Sequence, residues 1–377
     1  MIVRFGGKNF CSFKEGFEVD LSLREKNSIT NVLAVKGANA SGKTNVLKLV
    51  QFIQSFALNS FSNLKPDEKI SVDSFFLNNE PIEMFIVFIQ DGVEYKYELT
   101  LTQTEILSEV FSKKIKRETP IIERYKNEII KTAKEYNELK LIKQRSNVSL
   151  LSMALQHDLN SVKHIAELFQ LVRTNVYLLG RREQKLNDHD AISKFYHENL
   201  DIFKFVANVL KKSDLGIEDI EILERKKDDL SEEIHYFPIF NFMIDNKKDF
   251  LTFYHQSSGT KALYLQLADY AVALFLGGTL VLDEFDVNLH PDLLPMLIDF
   301  FDNPEKNTKN AQLIFTTHNT EIMDKLGKYK VVFVNKKDNE SFLYRLDEIP
   351  GDIIRNDRPI SPVYNAGKIG GKPKIKL

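Results

Sequence analysis

The eight residues GANASGKT, from Gly37 to Thr44, match G-x-x-x-x-G-K-[ST] at every fixed position. Such a loop works only between a buried strand and the start of a helix. The flanking sequence has that order: an apolar run at 31–35 reads as the strand, and 45–57 carries apolar residues at helical spacing. Glycines let backbone N–H groups face phosphate oxygens, and the helix start adds a dipole that favours anions. Gly37 and Gly42 are expected to shape the cradle, Lys43 to reach the β- and γ-phosphates, and the Thr44 hydroxyl to ligate magnesium. Asn39, Ser41 and Asn45 complete the expected nucleotide contacts.

Far downstream, Leu280, Val281 and Leu282 follow the Gly277-Gly278 break and run into Asp283 and Glu284. The short apolar run suits a central parallel strand buried on both faces, with the acids at its carboxyl end, where ligands of open α/β sheets bind. Asp283 is expected to hold magnesium through water, and Glu284 to polarise an attacking water as general base. On their own, two such acids equally begin a solvated turn. Beside an intact phosphate loop they point to a nucleotide triphosphatase that uses ATP and Mg2+.

Two further elements refine that reading. HQSSGTK, His255 to Lys261, opens a long apolar helix expected at 262–275. Ser257, Ser258 and Gly259 would cap it and expose its first N–H groups, either as an ordinary cap or as a second anion site. A buried strand expected at 312–317 ends at His318, whose imidazole could hydrogen-bond the γ-phosphate.

The order of these elements resembles that of the ABC-class ATPases. The resemblance implies an α/β P-loop NTPase of ABC type, with a mixed sheet core, in which Ser257, Ser258 and Gly259 form the signature and His318 is the switch histidine. It further implies a homodimer or higher homo-oligomer, because the signature of one subunit completes the ATP site of the other. DEFDVNLH, Asp283 to His290, is similar to the SMC and RecF pattern rather than to that of transporters, which usually place Pro after the paired acids. His290 stands where many members carry the D-loop aspartate, and Asn78 and Asn79 occupy the region of the Q-loop glutamine. KNFCSFKE at 8–15, the segment 81–110 with its Asp91-Gly92 turn, and the ending YNAGKIGGKP at 364–373 resemble bacterial SMC/RecF-like ATP-binding proteins of anti-phage and abortive-infection systems. That resemblance implies a separate effector protein.

The 377 residues, 43% of them hydrophobic, suffice for two packed lobes. No apolar run is long enough to span a membrane, since 262–282 is interrupted by Gln266, Asp269 and two glycines. The N-terminus has no secretory apolar region and Cys11 has no disulfide partner, which points to the cytoplasm. We expect the ATPase in two parts, 1–104 and 251–377, around a mainly helical insertion at 105–250 that serves as a lid or partner-docking lobe. Within it, 118–141 reads either as a charged helix or as twisted hairpins, whereas 150–172 and 191–212 have helical periodicity. Sustained heptads, the mark of a long SMC arm, are absent.

A net charge of −2 gives no strong field for nucleic acid, although Lys113, Lys114, Lys116 and Arg117, and again Lys140, Lys143 and Arg145, form local basic clusters. Arg182 and His189 have a spacing compatible with the Arg and His pair of HEPN ribonucleases, with Arg181, Glu183, His157 and His164 nearby; a charged loop explains them equally well. The stretch after His318 lacks the acidic clusters of a TOPRIM nuclease, so any cutting would fall to another polypeptide. The tail lysines Lys368, Lys372, Lys374 and Lys376 belong either to a docked terminus with glycine turns or to a flexible basic arm. Two alternatives stand beside the defence reading. An ATPase acting on DNA in repair would show ATP-dependent, salt-sensitive DNA binding; a nucleotide-gated scaffold would show negligible turnover.

Overall fold

The computed structural model describes residues 1–23, 28–182, 188–214, 216–226, 233–350, 353–354 and 358–371. Its central feature is a six-stranded sheet in the order Val172–Thr174, Thr279–Leu282, Gln312–Thr316, Val32–Gly37, Val331–Lys337, Glu340–Arg345. The first five strands run parallel, and the last pairs antiparallel at the edge. Both faces of this sheet are covered, which is why its strands read as unbroken apolar runs. Along Val32–Gly37, Leu33 and Val35 enter one core while Val32 and Ala34 enter the other. Val281 and Ile314 point to the first core, and Leu280, Leu313 and Phe315 to the second. The period-two alternation of a strand thus serves two cores.

The first core is closed by helix Lys43–Asn63 and by a seven-stranded antiparallel sheet. The helix buries Val46, Leu47, Val50, Ile53 and Ala57, spaced at three and four residues, and ends at an extended Leu64, two residues before Pro66. The sheet is a meander of Glu128–Thr132, Glu118–Tyr125, Ile106–Lys114, Val93–Leu101 and Ile82–Gln90, completed by Ile2–Lys8 and Phe17–Asp20. Asp91 and Gly92 form a two-residue turn in it, both with positive φ (51° and 75°), the geometry that matches strand twist in such a hairpin.

The second core is built on helix Ser258–Leu276, which begins four residues before the expected apolar stretch. Helices His189–Glu198 and Leu200–Ser213 pack on it, together with a three-stranded sheet of Asp219–Lys226, Ile234–Ile244 and Lys247–Thr252.

The mixed sheet core is as expected, but the stretch 105–250 is not mainly helical. Three of its strands extend the seven-stranded sheet, and Val172–Thr174 joins the parallel sheet. Of the two readings of 118–141, the hairpin is the one adopted: Glu118–Tyr125 pairs with Glu128–Thr132 and a 3-10 turn, Lys134–Leu141, follows. The helical periodicity at 150–172 resolves into Leu150–Gln156 and Lys163–Gln170, both packed on helix Lys43–Asn63. A buried ion pair anchors this region. Arg124 and Glu109 are 0% and 3% exposed and 3.3 Å apart, and Glu109 also accepts from Tyr97 Oη, Ser149 Oγ and the Leu150 N–H. No helix among the described residues is long and apolar enough to cross a membrane.

Candidate functional site

Parallel pairing brings the carboxyl ends of four strands to one edge. In register, Thr174 lies beside Val281, Leu282 beside Phe315, and Thr316 beside Val35. The residues that follow them, Asn175, Asp283, Thr317 and Lys36, therefore meet at the edge where the phosphate loop begins, the usual ligand position of an open α/β sheet.

The loop itself is tightly fitted. Gly37 is buried against the neighbouring strand, and a Cβ there would lie 2.2 Å from the Val334 carbonyl oxygen. Gly42 holds φ at 108°, a conformation side chains rarely adopt, and its Cβ would sit 2.6 Å from Ser341 Oγ and 2.7 Å from Ser12 Oγ. Those two hydroxyls form a buttress: Ser341 Oγ donates to Ser12 Oγ at 2.7 Å and contacts the Ser41 carbonyl at 2.7 Å, while Asn45 Nδ2 donates to Ser12 Oγ at 2.8 Å. Asn45 thus faces the buttress, and Asn39 stands exposed at the loop tip. Ser41 Oγ is buried without a protein partner. Lys43 Nζ donates to the Gly37 and Ala38 carbonyls at 2.9 and 3.0 Å. Burial lowers the Lys43 ammonium from its ordinary range, against the opposing pull of Asp283, Glu284 and Asp286.

Asp283 is 4% exposed, and both of its carboxylate oxygens accept hydrogen bonds, Oδ2 from Thr44 Oγ1 at 2.8 Å and Oδ1 from Thr316 Oγ1 at 2.6 Å. Its backbone is clasped by the amide of Asn175, which accepts from the Asp283 N–H at 2.7 Å and donates to its carbonyl at 3.0 Å. The next residue, Glu284, donates its N–H to Thr316 Oγ1 at 2.7 Å and holds φ at 50°, left-handed for a non-glycine. A conformation of this kind costs about 1–3 kcal/mol and persists only where its surroundings enforce it. The Glu284 carboxylate reaches Arg181 Nε at 3.4 Å.

Ser257 is the N-cap of helix Ser258–Leu276, its Oγ accepting the Thr260 N–H at 3.1 Å. Ser257 and Ser258 are exposed, and Gly259 is partly covered. Ser258 lines a cavity of about 550 Å³ with Asn175, Arg181, Glu284 and Asn288. His318 is exposed just past its strand. Its N–H donates to the Asp286 carboxylate at 3.2 Å, and its carbonyl accepts from Lys36 Nζ at 3.0 Å. Lys36 also donates to the Asn319 carbonyl and lies over the Tyr364 ring. Burial pulls its ammonium down to about 8, Asp286 pulling the other way and Lys43 reinforcing it.

Other residues singled out in the sequence go elsewhere. Arg182 lies over the Tyr177 ring and His189 stacks on Phe253, while His164 meets Tyr136 Oη and His157 edges Phe61, each beside an aromatic ring of its own. Glu183, Lys372, Lys374 and Lys376 lie outside the described residues. Asn78 forms a reciprocal amide pair with Asn9 at 2.9 Å, a tie between two loops. Arg145 donates to the Leu64 carbonyl at 2.7 Å and lies over Phe61, a structural use, whereas Lys114, Lys116, Arg117, Lys140 and Lys143 are exposed. His290 is exposed beside Asp292. The ending is docked as far as Gly371, whose N–H donates to Asn335 Oδ1 at 2.8 Å. Sequence reasoning missed Asn175, Thr316, Lys36, Ser12 and Ser341, and considered Arg181 only for another chemistry. The one local signal was the position of Thr316 and Lys36, each at the end of a short apolar run, whereas Asn175 follows Arg173 and Thr174.

The family described as "AAA domain, putative AbiEii toxin, Type IV TA system" matches residues 32–324, from the loop's own strand to beyond His318. No curated protein sequence matches the chain. Among solved structures it is similar to "SmcHead bound to the C-winged helix domain of ScpA", with 15% identity, a TM-score of 0.53, and 91% of this chain and 97% of that one covered. It also aligns with the "SMC head domain from Thermotoga maritima" at 15% identity and a TM-score of 0.48, covering 91% and 98%. At such identity the first of these likenesses speaks for the fold. The chain belongs to the AAA-domain family of the AbiEii-toxin description and has a fold similar to that of an SMC head.

Proposed function

We propose that this chain binds and hydrolyses ATP, closes into a homodimer around it, and uses that closure to control a separate effector protein in anti-phage defence. The observation that carries the enzymatic part is the constellation Thr44, Asp283, Thr316 and Glu284, held by hydrogen bonds of 2.6–2.8 Å beside a complete phosphate loop. The defence part rests on the family description and on the resemblance of the chain's two ends.

The donor set suits Mg2+, which keeps several waters and takes one or two carboxylates together with substrate phosphates. Thr44 Oγ1 and the Asp283 carboxylate would hold it, and the buried, unpartnered Ser41 hydroxyl fits a loop shaped for a polar guest. When bound, the ion neutralises charge on the β- and γ-phosphate oxygens. Lys43 exchanges the Gly37 and Ala38 carbonyls for those same oxygens. Glu284 orients a water in line with the γ-phosphorus and takes its proton as the new P–O bond forms and ADP departs. His318 hydrogen-bonds the γ-phosphate, its main chain held by Asp286 and Lys36. Ser257, Ser258 and Gly259 of a second copy complete the site from the opposite side, since in this copy Ser257 and Ser258 stand exposed at a helix start.

The test is the solution mass of Glu284→Gln with and without ATP and Mg2+, paired with phosphate release by the unmodified protein. Doubling of the mass with ATP, its loss in Ser258→Arg, and turnover abolished by Glu284→Gln are the expected results. A mass indifferent to ATP rejects the composite site, and phosphate release that survives Glu284→Gln rejects the role of Glu284.

A further inference from the structure

Among the residues around the site, Arg181 has the clearest unassigned relationship. It closes a small hairpin in which Val176–Tyr177 pairs with Gly180–Arg181, Val176 opposite Arg181. The turn between the arms is only Leu178 and Leu179, and Gly180 takes φ of 111° to close it. This hairpin is fixed to the site from two directions. Val176 is fully buried in the core that also holds helix Lys43–Asn63, and the preceding Asn175 clasps the Asp283 backbone with both ends of its amide. The Arg181 side chain is consequently delivered to one place, 16% exposed, with Nε 3.4 Å from Glu284 Oε2.

That place is electrostatically demanding. Glu284 is half-exposed, stands next to Asp283, and in the ATPase reading must face the anionic γ-phosphate. A carboxylate that is to receive a proton from water has to stay there, ionised and correctly turned, against repulsion from both neighbours. A guanidinium that cannot lose its charge, on a hairpin anchored by the buried Val176 and by the Asn175 clasp, meets that requirement better than a mobile lysine. Glu284 is also constrained at its backbone by Thr316, so Arg181 supplies the missing constraint at the other end of the side chain.

We infer that Arg181 is a positioning residue for hydrolysis: it holds the Glu284 carboxylate in the orientation that receives the water proton, and it contributes little to nucleotide binding. The inference rests on the ATPase reading above. It separates Arg181 from Lys43, which meets phosphate directly, and it gives the hairpin at 175–182 a function no local motif announced.

The experiment compares the full-length protein with Arg181→Ala, Arg181→Lys, Glu284→Gln and the double variant Arg181→Ala/Glu284→Gln, measuring phosphate release and the affinity for a fluorescent ATP analogue with Mg2+. Arg181→Ala should lower kcat about tenfold or more while the dissociation constant moves less than about threefold, the signature of a group that acts only in the chemical step. Arg181→Lys should recover part of the loss, and added guanidinium ion should partly rescue Arg181→Ala. The double variant should turn over no more slowly than Glu284→Gln alone, because the two residues act as one unit. The inference is overturned by a faster Arg181→Ala, by a weakened affinity with kcat intact, or by losses that multiply in the double variant. If Arg181→Ala does not fold, the Lys variant decides: unchanged kcat together with weakened affinity also rejects the positioning role. Turnover that depends on Glu284 but ignores Arg181 sinks this inference and leaves the ATPase reading standing; absence of any Glu284-dependent turnover removes both.

Discussion

Thr44 and Asp283 stand 239 positions apart in the chain and 2.8 Å apart in the fold, hydroxyl to carboxylate. They meet although their strands are not neighbours. Gln312–Thr316 lies between them in the sheet, and its last residue, Thr316, bonds both Asp283 and the Glu284 main chain. The site is therefore spread over three strands, and the middle one supplies the link.

Removing that link gives a direct test. Thr316→Val deletes the hydroxyl at nearly constant volume and leaves a Glu284 N–H and an Asp283 oxygen without their partner, at a cost of about 1–3 kcal/mol for each group left unsatisfied. Thermal unfolding should show the loss and phosphate release should fall, while Thr316→Ser should keep most of both. A Val variant as stable and active as the parent would mean the hydroxyl has no such role.

Gly42→Ala places a methyl where Ser12 and Ser341 hydroxyls already stand, on a backbone with φ of 108°. The strain is about 1–3 kcal/mol. Because the clash breaks the Ser12 and Ser341 buttress under the loop, ATP affinity should fall by at least about tenfold, a change of 1.4 kcal/mol or more. Gly16→Ala is the control, since nothing lies within 4 Å of its Cβ and its φ is outside the left-handed region. Calorimetric titration with ATP and Mg2+ distinguishes the two, and equal affinities would contradict this account of the loop.

Lys36 should make stability rise with pH. Burial holds its folded-state ammonium at about 8, below its ordinary value of 10.5. Below about pH 8 both folded and unfolded chains carry the charge and the burial penalty is fully present. Between about 8 and 10.5 only the unfolded chain binds the proton, so this residue's contribution to stability increases across that interval. Denaturant unfolding of the parent and of Lys36→Met should diverge there in favour of the parent. A difference that stays flat or reverses would show that Lys36 is not held down by burial.

Arg124 and Glu109 give a prediction far from the nucleotide. Arg124→Met leaves a carboxylate that is 3% exposed without its cation and should cost about 3–5 kcal/mol in urea unfolding. The paired change Arg124→Met/Glu109→Leu should recover part of this, because an apolar pair of similar volume has no charge to desolvate. A single variant within about 0.5 kcal/mol of the parent, as at an unremarkable surface position, would show the pair to be idle.

Much of the site could be read in advance because its parts are local. The phosphate loop is eight consecutive residues whose geometry follows from their own glycines, and the acids follow directly on a buried apolar run. The Ser257 cap was legible for the same reason. The stretch 105–250 was harder, since strand Glu128–Thr132 lies at a sheet edge with most residues exposed, and an edge strand need not show the alternation that separates strand from charged helix.

By itself, the sequence determined that a strand, an anion-binding loop and a helix follow one another, that two acids end a buried strand, and that the core is α/β. Backbone conformation and burial periodicity are local properties, and local sequence sets them. Only the tertiary structure decided that Asn175 clasps Asp283, that Thr316 joins Asp283 to Glu284, that Lys36 lies under His318, and that Arg181 reaches Glu284. Each is a lone polar residue, and no local pattern names the partner it meets. Its partner is chosen by strand order and register, which are set by the packing of two apolar cores on opposite faces of one sheet.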